Sequence, residues 1–220
     1  MLKLRNIVLQ TVGKSKIQKG WNEILKNLKR MRDYENEKKY EKNCEENYSK
    51  KISETDTQIL LVEPVLSLAG YDIYDPKIVK RASRGKNTRE FDIEIYKNGK
   101  LFLAIEVKSL GSSEFNIDKI LEESSKSNVG KLTKQNSRWT NSSGDGVGQL
   151  RAYCVNWPSK VNNDTIPVLT NGEKWVLFDL SAFINKNNLE QGINRDMVVE
   201  AKSILDKDFF ETIIERIKNT

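Results

Sequence analysis

The stretch FDIEIYKNGKLFLAIEVK, residues 91–108, contains the strongest local folding signal in the sequence. Two runs rich in β-branched, aromatic and other apolar residues flank Asn98-Gly99, the residue pair most typical of a two-residue hairpin turn. The stretch therefore predicts two antiparallel strands, 91–97 and 101–108, that lie side by side.

The charged residues of this predicted hairpin form a pattern suited to a hard cation. Side chains alternate between the two faces of a strand, so Asp92 and Glu94 share one face, and Glu106 and Lys108 share one face of the next strand. Two carboxylates on adjacent strands can hold one hard cation such as Mg²⁺. A lysine beside that cation can orient a bound water or help to deprotonate it. The alternative is a surface ion network, which a Glu-x-Lys triplet alone favours.

Composition restricts the chemistry that is open to this chain. It has 220 residues, a length that suits one domain with an appendage, and it contains no histidine. Without histidine, a Ser-His-Asp triad, a histidine general base and most transition-metal sites are excluded. The two cysteines, Cys44 and Cys154, form neither a disulfide framework nor a zinc spacing. With no long apolar run and no signal-peptide core, we expect a reduced, cytoplasmic protein and no membrane partner.

The net charge of +6 is concentrated in the N-terminal arm. Residues 1–32 contain nine basic residues and one acidic residue, whereas residues 51–220 contain 24 of each. Two local basic clusters still stand out in the balanced part, and such clusters attract phosphates, although a solvated face is the alternative. The candidate nucleic-acid contacts in these clusters are Arg81, Arg84, Lys86, Arg89, Lys134 and Arg138.

An amphipathic helix is predicted in the basic arm, over residues 15–50. Its apolar stripe contains Trp21, Ile24, Leu25 and Leu28. This stripe packs either on its own domain or on another chain, so a homo-oligomer or a partner protein is one interpretation of the arm.

The rest of the chain predicts a mixed α/β domain, residues 51–220, preceded by the arm 1–50. A helix is expected from the capping residue Ser53, with a kink at Pro64 and an end at Gly70. The other expected elements are strands 71–74, 78–82, 167–170 and 175–180, helices 114–123, 149–156 and 195–218, and a loop over 124–146.

An ordered set of short motifs in residues 51–180 resembles the PD-(D/E)XK nuclease superfamily. The set is most similar to the N-terminal nuclease domain of the R subunit of type I restriction enzymes. In chain order the motifs are ETD (54–56), VEPVL (62–66), LAGYD (68–72), FDI (91–93), IEVK (105–108), QLRAY (149–153) and LTNGEKW (169–175). The sequence departs from the family in having Phe91 where a proline precedes the aspartate, no Walker-type loop for a motor, and no match for residues 1–50.

The resemblance implies a restriction-endonuclease-like core, with a mixed central sheet flanked by helices, plus an N-terminal helical extension. It also implies that Asp92 and Glu106 ligate Mg²⁺, or Mn²⁺ as a substitute, with the backbone carbonyl of Val107 as a candidate third ligand. By the same resemblance, Lys108 positions or activates the attacking water.

Three further residues acquire roles only from the resemblance. Glu54 would be an accessory carboxylate near the metal, and Gln149 and Tyr153 would face the catalytic centre or the DNA backbone. Their spacing of four residues places Gln149 and Tyr153 on one helix face, which also fits a polar residue and an aromatic packed under the sheet.

The leading hypothesis is a metal-dependent DNA endonuclease of the restriction-modification type, without the motor. RNA stays open as a substrate, because nothing in the sequence distinguishes RNA from DNA. No base-reading module is present, so sequence-specific cleavage by this chain alone is not expected. Two alternatives remain: a nucleic-acid-binding or assembly module that does not cleave, and a nuclease subunit that is active only with a partner protein.

Overall fold

A six-stranded mixed β-sheet lies at the centre of the computed structural model. The structure describes residues 2–40, 52–82, 91–111, 146–156, 160–185 and 197–219. The strands are β1 (Val79–Arg81), β2 (Ile93–Lys97), β3 (Lys100–Val107), β4 (Ile166–Thr170), β5 (Lys174–Phe178) and β6 (Val198–Ser203). They lie side by side in chain order, and every adjacent pair is antiparallel except β3 and β4, which are parallel. The predicted mixed sheet flanked by helices is therefore confirmed.

Helices cover both faces of the sheet. They are α1 (Leu2–Tyr40), α2 (Glu54–Thr57), α3 (Glu63–Leu68), α4 (Gly146–Asn156), α5 (Leu180–Ile184) and α6 (Lys207–Asn219), with a π-helical turn (Gln58–Val62) between α2 and α3. One hydrophobic core lies between the sheet and the layer of α1, α3 and α6. A second core lies between the opposite face and the layer of α4 and α5. No helix in the described ranges is both long and apolar enough to cross a membrane.

The predicted hairpin is confirmed as the pair β2–β3. Ile93 lies opposite Ile105, and the turn residues Asn98 and Gly99 have φ angles of 52° and 76°. Positive φ at both positions is the requirement of the type I′ turn, whose twist matches that of the two strands.

Strand β3 is buried on both of its faces, and its apolar and charged side chains near the carboxyl end lie on opposite faces. Ile105 and Val107 belong to the core under α1, α3 and α6, and Ala104 belongs to the core under α4. By alternation, Glu106 points toward α4, as expected from the sequence. A carboxylate in this position is buried and needs partners.

The helix expected from Ser53 begins where predicted, with a capping box. The Ser53 hydroxyl accepts from the Asp56 N–H at 3.0 Å, and the Asp56 carboxylate accepts from the Ser53 N–H at 3.1 Å. Instead of a simple kink, a π-helical turn precedes Pro64. Proline has no N–H to donate to the Leu60 carbonyl, which accepts instead from the Asn27 side chain at 3.3 Å.

Most of the apolar stripe of α1 packs on its own domain, which is the first of the two alternatives left by the sequence, and a homo-oligomer or a partner protein stays a prediction. Ile24, Leu28 and Met31 are buried in the core under α3 and α6. The Trp21 indole N–H donates to the carbonyl of Ile204 at 2.8 Å. The domain boundary at residue 50 stays a prediction, but the middle of α1 shares the core of the α/β domain.

One strand prediction is wrong, because Tyr71–Tyr74 forms turns. Asp72 accepts from the Tyr74 N–H at 3.0 Å, and Asp75 accepts from the Lys77 N–H at 2.8 Å. Aspartate side chains that bond to the backbone two residues ahead compete with a sheet ladder.

The C-terminal helix prediction is half wrong. Residues 198–203 form strand β6, paired with β5, and the helix begins only at Lys207. Asp206 separates the two elements by accepting from the Phe209 N–H at 3.1 Å, as an N-cap does.

The other expected elements agree or cannot be compared. The strands expected over 78–82, 167–170 and 175–180 are confirmed as β1, β4 and β5, and the helix expected from Gln149 begins earlier, at Gly146. The helix expected over 114–123 lies outside the described residues, and so does the expected loop up to residue 145.

Candidate active site

The candidate site lies at the carboxyl end of β3, next to the parallel strand β4. The Lys108 N–H donates to the carbonyl of Thr170 at 2.8 Å, so the pairing of β3 with β4 continues one residue past the end of β3. Asp92 directly precedes β2, and its carboxylate accepts from the Val107 N–H at 2.7 Å. The side chain of Asp92 is therefore held against the backbone of β3, next to Glu106.

The Lys108 ammonium joins three elements of the fold. It donates to Glu106 of β3 at 2.9 Å, to the side-chain oxygen of Gln149 in α4 at 3.1 Å, and to Glu54 in α2 at 3.4 Å. The Gln149 amide in turn donates to the Tyr153 hydroxyl at 3.0 Å. Residues from three separate motifs of the sequence thus meet around one ammonium.

The site is buried on one side and open on the other. Glu106 is 1% exposed and Lys108 is 6% exposed. The Glu54 side chain is 53% exposed, because it stands in the first turn of α2. A substrate would therefore approach past Glu54.

Burial and mutual repulsion raise the pKa values of two carboxylates of the site. Burial raises the pKa of Glu106 to about 8, and the nearby charge of Asp92 adds to the effect. Burial also raises the pKa of Asp92 to about 6, although the Val107 N–H opposes it. Burial alone would lower the pKa of Lys108, but the carboxylates of Glu106, Glu54 and Asp92 outweigh it, so its pKa lies above the usual range. Three carboxylates share one ammonium, and a further cation would relieve their repulsion.

The donor set fits a hard divalent cation held by few protein ligands. Within the described ranges, no three carboxylate or thiol side chains converge as a complete metal site. One oxygen of Glu106, Oε2, is buried and has no hydrogen-bond partner among the described residues. A buried acceptor without a donor is costly unless a cation or a water completes it. Mg²⁺ suits this arrangement, because it binds one or two carboxylates and keeps several waters.

Strand alternation predicts that Glu94 shares a face with Asp92, but Glu94 does not belong to the site. Its carboxylate accepts from Lys160 at 2.9 Å and from the Tyr96 hydroxyl at 2.7 Å. These contacts form a separate ion network farther along β2, so the two acidic residues have different surroundings.

Among the candidate nucleic-acid contacts, only Arg81 lies within the described ranges. Its guanidinium forms an ion pair with the buried Glu63 at 2.7 Å and donates to the carbonyl of Ile73 at 2.9 Å. Burial raises the pKa of Glu63, but the contacts with Arg81 and Gln58 outweigh it and the net shift is downward. Arg81 is thus engaged within the protein, and its contact with nucleic acid stays a prediction. The residues outside the described part are Arg84, Lys86, Arg89, Lys134 and Arg138.

Two residues that sequence reasoning missed hold the chain directly after Lys108. The Thr57 hydroxyl accepts from the Leu110 N–H at 3.1 Å, and the Asn171 amide donates to the Leu110 carbonyl at 3.4 Å. Asn171 belongs to the LTNGEKW motif, which could have indicated it, whereas no local signal singles out Thr57. Both residues position Lys108 through the backbone that follows it.

Gly172 brings the turn between β4 and β5 close to the π-helical turn. Its φ angle is +81°, and a Cβ atom there would lie 2.6 Å from the Cβ of Leu61. Only glycine satisfies both the left-handed backbone and the close approach. The turn that contains Asn171 is therefore tied to the helix that begins at Glu54.

Arg151 of α4 is buried and has no counter-charge among the residues that the structure describes. It is 4% exposed, and none of its three guanidinium nitrogens has a hydrogen-bond partner in the structure as described. Its guanidinium carbon lies 5.6 Å from the centre of the Phe183 ring. Burial lowers the pKa of Arg151, which reflects the cost of its uncompensated charge.

Arg151→Met is therefore expected to raise the free energy of unfolding by roughly 1–3 kcal/mol, because methionine keeps the packing and removes unpaired buried donors. Thermal melts of the wild type and the variant measure the effect. Arg216→Met is the control, since this half-exposed arginine forms a surface pair with Glu200 at 3.2 Å and should change stability little. A lower melting temperature for Arg151→Met would contradict the expectation.

The stability of the metal-free protein is expected to fall as the pH rises from about 5.5 to 8.5. In this window the folded chain binds more protons than the unfolded chain, because the folded-state pKa values of Asp92 and Glu106 are raised to about 6 and about 8. Stability that comes from a raised carboxyl pKa is present at low pH and is lost as pH passes through the folded-state pKa. Melting curves in EDTA test the sign, and Glu106→Gln should flatten the slope. An unchanged slope in that variant would contradict the expectation.

Known proteins provide no independent assignment of this site. Comparisons of the chain with protein-family models, with curated proteins and with solved structures find no match. The function proposed below therefore depends on the geometry of the site and on the motifs that form it.

Proposed function

We propose that this chain is a metal-dependent nuclease that hydrolyses DNA phosphodiester bonds and has a restriction-endonuclease-like core. The observation that carries the proposal is the meeting of Glu54, Glu106 and Gln149 on the Lys108 ammonium. Asp92 stands beside them, on the N–H of Val107. An ordinary surface ion network would be exposed, whereas Glu106 and Lys108 are almost fully buried.

Asp92 and Glu106 are the residues that would hold Mg²⁺. The unpaired Oε2 of Glu106 supports this role, because it is a buried acceptor that needs a positive partner. When bound, the ion would supply an acidified water and stabilise the charge that develops on the phosphate. Both carboxylates must be deprotonated to bind it, so raised pKa values couple metal binding to proton release.

Lys108 suits the role of a hydrogen-bond donor better than that of a general base. Its pKa lies above the usual range, because three carboxylates surround it. At neutral pH it therefore stays protonated, orients the attacking water and donates to the phosphate oxygens. Gln149 accepts from the ammonium on the α4 side, and Tyr153 accepts in turn from the Gln149 amide.

Cleavage of supercoiled plasmid tests the proposal directly. With Mg²⁺ or Mn²⁺ we expect nicked and linear products, and with EDTA or with Ca²⁺ we expect none. Cleavage that survives EDTA would overturn the metal-dependent mechanism. Salt-dependent DNA binding without cleavage under any metal would favour the non-cleaving module instead.

A further inference from the structure

We propose that the solvent face of α1 is a second phosphate-binding surface, which holds the backbone of the nucleic acid that enters the candidate site. This inference rests on the proposed function, because it takes the substrate to be a nucleic acid. The α1 basic face consists of five exposed side chains: Lys16, Lys19, Lys26, Lys29 and Arg30.

The cations of the α1 basic face are free to bind a ligand. None of the five forms an ion pair with any described residue. Two exposed acidic residues, Glu23 and Asp33, lie in the same stretch, so the face keeps a net positive charge. From Lys16 to Arg30 the face spans roughly 21 Å along the helix axis, about the length of six base pairs of duplex.

The packing of α1 brings the C-terminal end of this face near the candidate site. Asn27 contacts Leu60, and Gly20 lies against Leu68, so α1 runs antiparallel to the chain that begins at Glu54. Later residues of α1 therefore lie nearer to the site than earlier ones.

Two contacts place the later part of α1 at the edge of the sheet where the site lies. Arg32 forms an ion pair with Glu173, in the turn that follows β4. The carboxylate of Glu35 lies directly against Gly111, three residues after Lys108. The end of the α1 basic face at Arg30 is therefore near this edge of the sheet, and a nucleic acid bound at Glu54 and Lys108 would reach the face by continuing along the solvent side of α1.

Phosphate backbone fits this face better than a membrane surface does. A helix that binds a membrane must insert an apolar face, but between Ile17 and Met31 the apolar face of α1 packs in the core. Among the residues of α1 whose side chains the structure describes, 15–36, Tyr34 is the only exposed large apolar one. Closely spaced lysine and arginine on a polar face are the signature of contact with phosphates.

A charge-reversal variant with a matched control tests the inference. The test variant is K19E/K26E/R30E, and the control is K100E/K202E/K218E, which makes the same change of net charge at exposed lysines of β3, β6 and α6. Binding to a 30-base-pair fluorescent duplex is measured by anisotropy in EDTA, over a range of salt concentrations. We expect the test variant to lose at least about tenfold in affinity and to show a salt slope shallower by about 2 to 3, whereas the control changes by less than about threefold. Circular dichroism verifies that both variants are folded, as expected for substitutions at exposed positions.

Equal affinities of the two variants would overturn the inference. A second outcome would also overturn it. In that outcome the wild type binds anionic phospholipid vesicles and the test variant does not, while both bind the duplex equally. Failure of the proposed function is distinguishable, because it would leave the wild type unable to cleave plasmid with Mg²⁺ although the test variant still lost duplex binding. In the reverse outcome the wild type cleaves plasmid with Mg²⁺ and the test variant binds duplex as tightly as the wild type. That result would refute phosphate binding by the α1 basic face and leave the proposed function intact.

Discussion

Asp92→Asn is expected to lower the rate of Mg²⁺-dependent cleavage at least about 100-fold while the protein stays folded. Asparagine keeps an oxygen that can accept from the Val107 N–H, so the hydrogen bond at 2.7 Å can persist. It removes the negative charge that would hold the cation, and a lost metal ligand withdraws several kcal/mol of transition-state stabilisation. Because burial already raises the pKa of Asp92 to about 6, the neutral side chain should cost little stability.

Glu94→Gln is the matched control for this experiment. Glu94 is two residues from Asp92, on the same strand face, and sequence pattern alone makes the two equally good candidates. The structure pairs Glu94 with Lys160 and Tyr96 instead. We therefore expect Glu94→Gln to cleave plasmid within about threefold of the wild-type rate, perturbing only that separate network.

Single-turnover cleavage rates and melting temperatures of both variants decide the question. If Asp92→Asn cleaved plasmid at the wild-type rate, Asp92 would not be part of the catalytic machinery. An equal loss in both variants would mean that the general acidity of this strand face matters, and not the site around Lys108.

The local parts of this fold could be predicted from the sequence, because their signals lie within a few residues. The hairpin followed from Asn98-Gly99, and the capping box at Ser53 needs only Asp56. The shared face of Glu106 and Lys108 followed from strand periodicity alone. Each of these features depends on backbone geometry that neighbouring residues determine.

The convergence of distant residues could not be derived from periodicity. Glu54 and Gln149 are 95 positions apart, and only the order of motifs in a resembling family suggested that they meet at Lys108. The contact of Thr57 with Leu110 had no signal at all, since a buried threonine in a helix has many ordinary explanations.

The two wrong predictions share one physical cause, which is competition for backbone hydrogen bonds. At Tyr71–Tyr74 the side chains of Asp72 and Asp75 capture the N–H groups that a strand would need. At 198–203 the opposite occurs, because pairing with β5 outweighs a helical spacing of apolar residues. The spacing of apolar residues indicates neither the aspartate hydrogen bonds nor the pairing with β5.

Helix α1 shows the same difference between what spacing can predict and what it cannot. Amphipathic spacing indicated which side of the helix is buried, but it could not say against what. The structure buries Ile24 and Leu28 in the core shared with α3 and α6, and this packing makes the second large prediction possible.

The double variant Ile24→Ala/Leu28→Ala is expected to lose about 4–8 kcal/mol of unfolding free energy. Each side chain is at most 2% exposed, and truncating a buried leucine or isoleucine to alanine costs about 2–5 kcal/mol. Against a typical total of about 5–15 kcal/mol, this loss should lower the melting temperature by roughly 10–30 °C. Asn22→Ala/Glu23→Ala, at two exposed positions of the same helix, is the control and should change it by only a few degrees.

The same measurement tests whether the N-terminal arm is a separable unit. If residues 1–50 were an independent docking element, the double variant would melt like the wild type, and only the mass of the protein in solution would change. If α1 belongs to the core, as its contacts with Ile204 and Phe210 indicate, stability collapses while the mass of the folded fraction stays the same. In that case α1 contributes to function as part of the domain. Its apolar side chains from Ile24 to Met31 pack in the core, and its basic face is exposed to solvent, where it can bind phosphates.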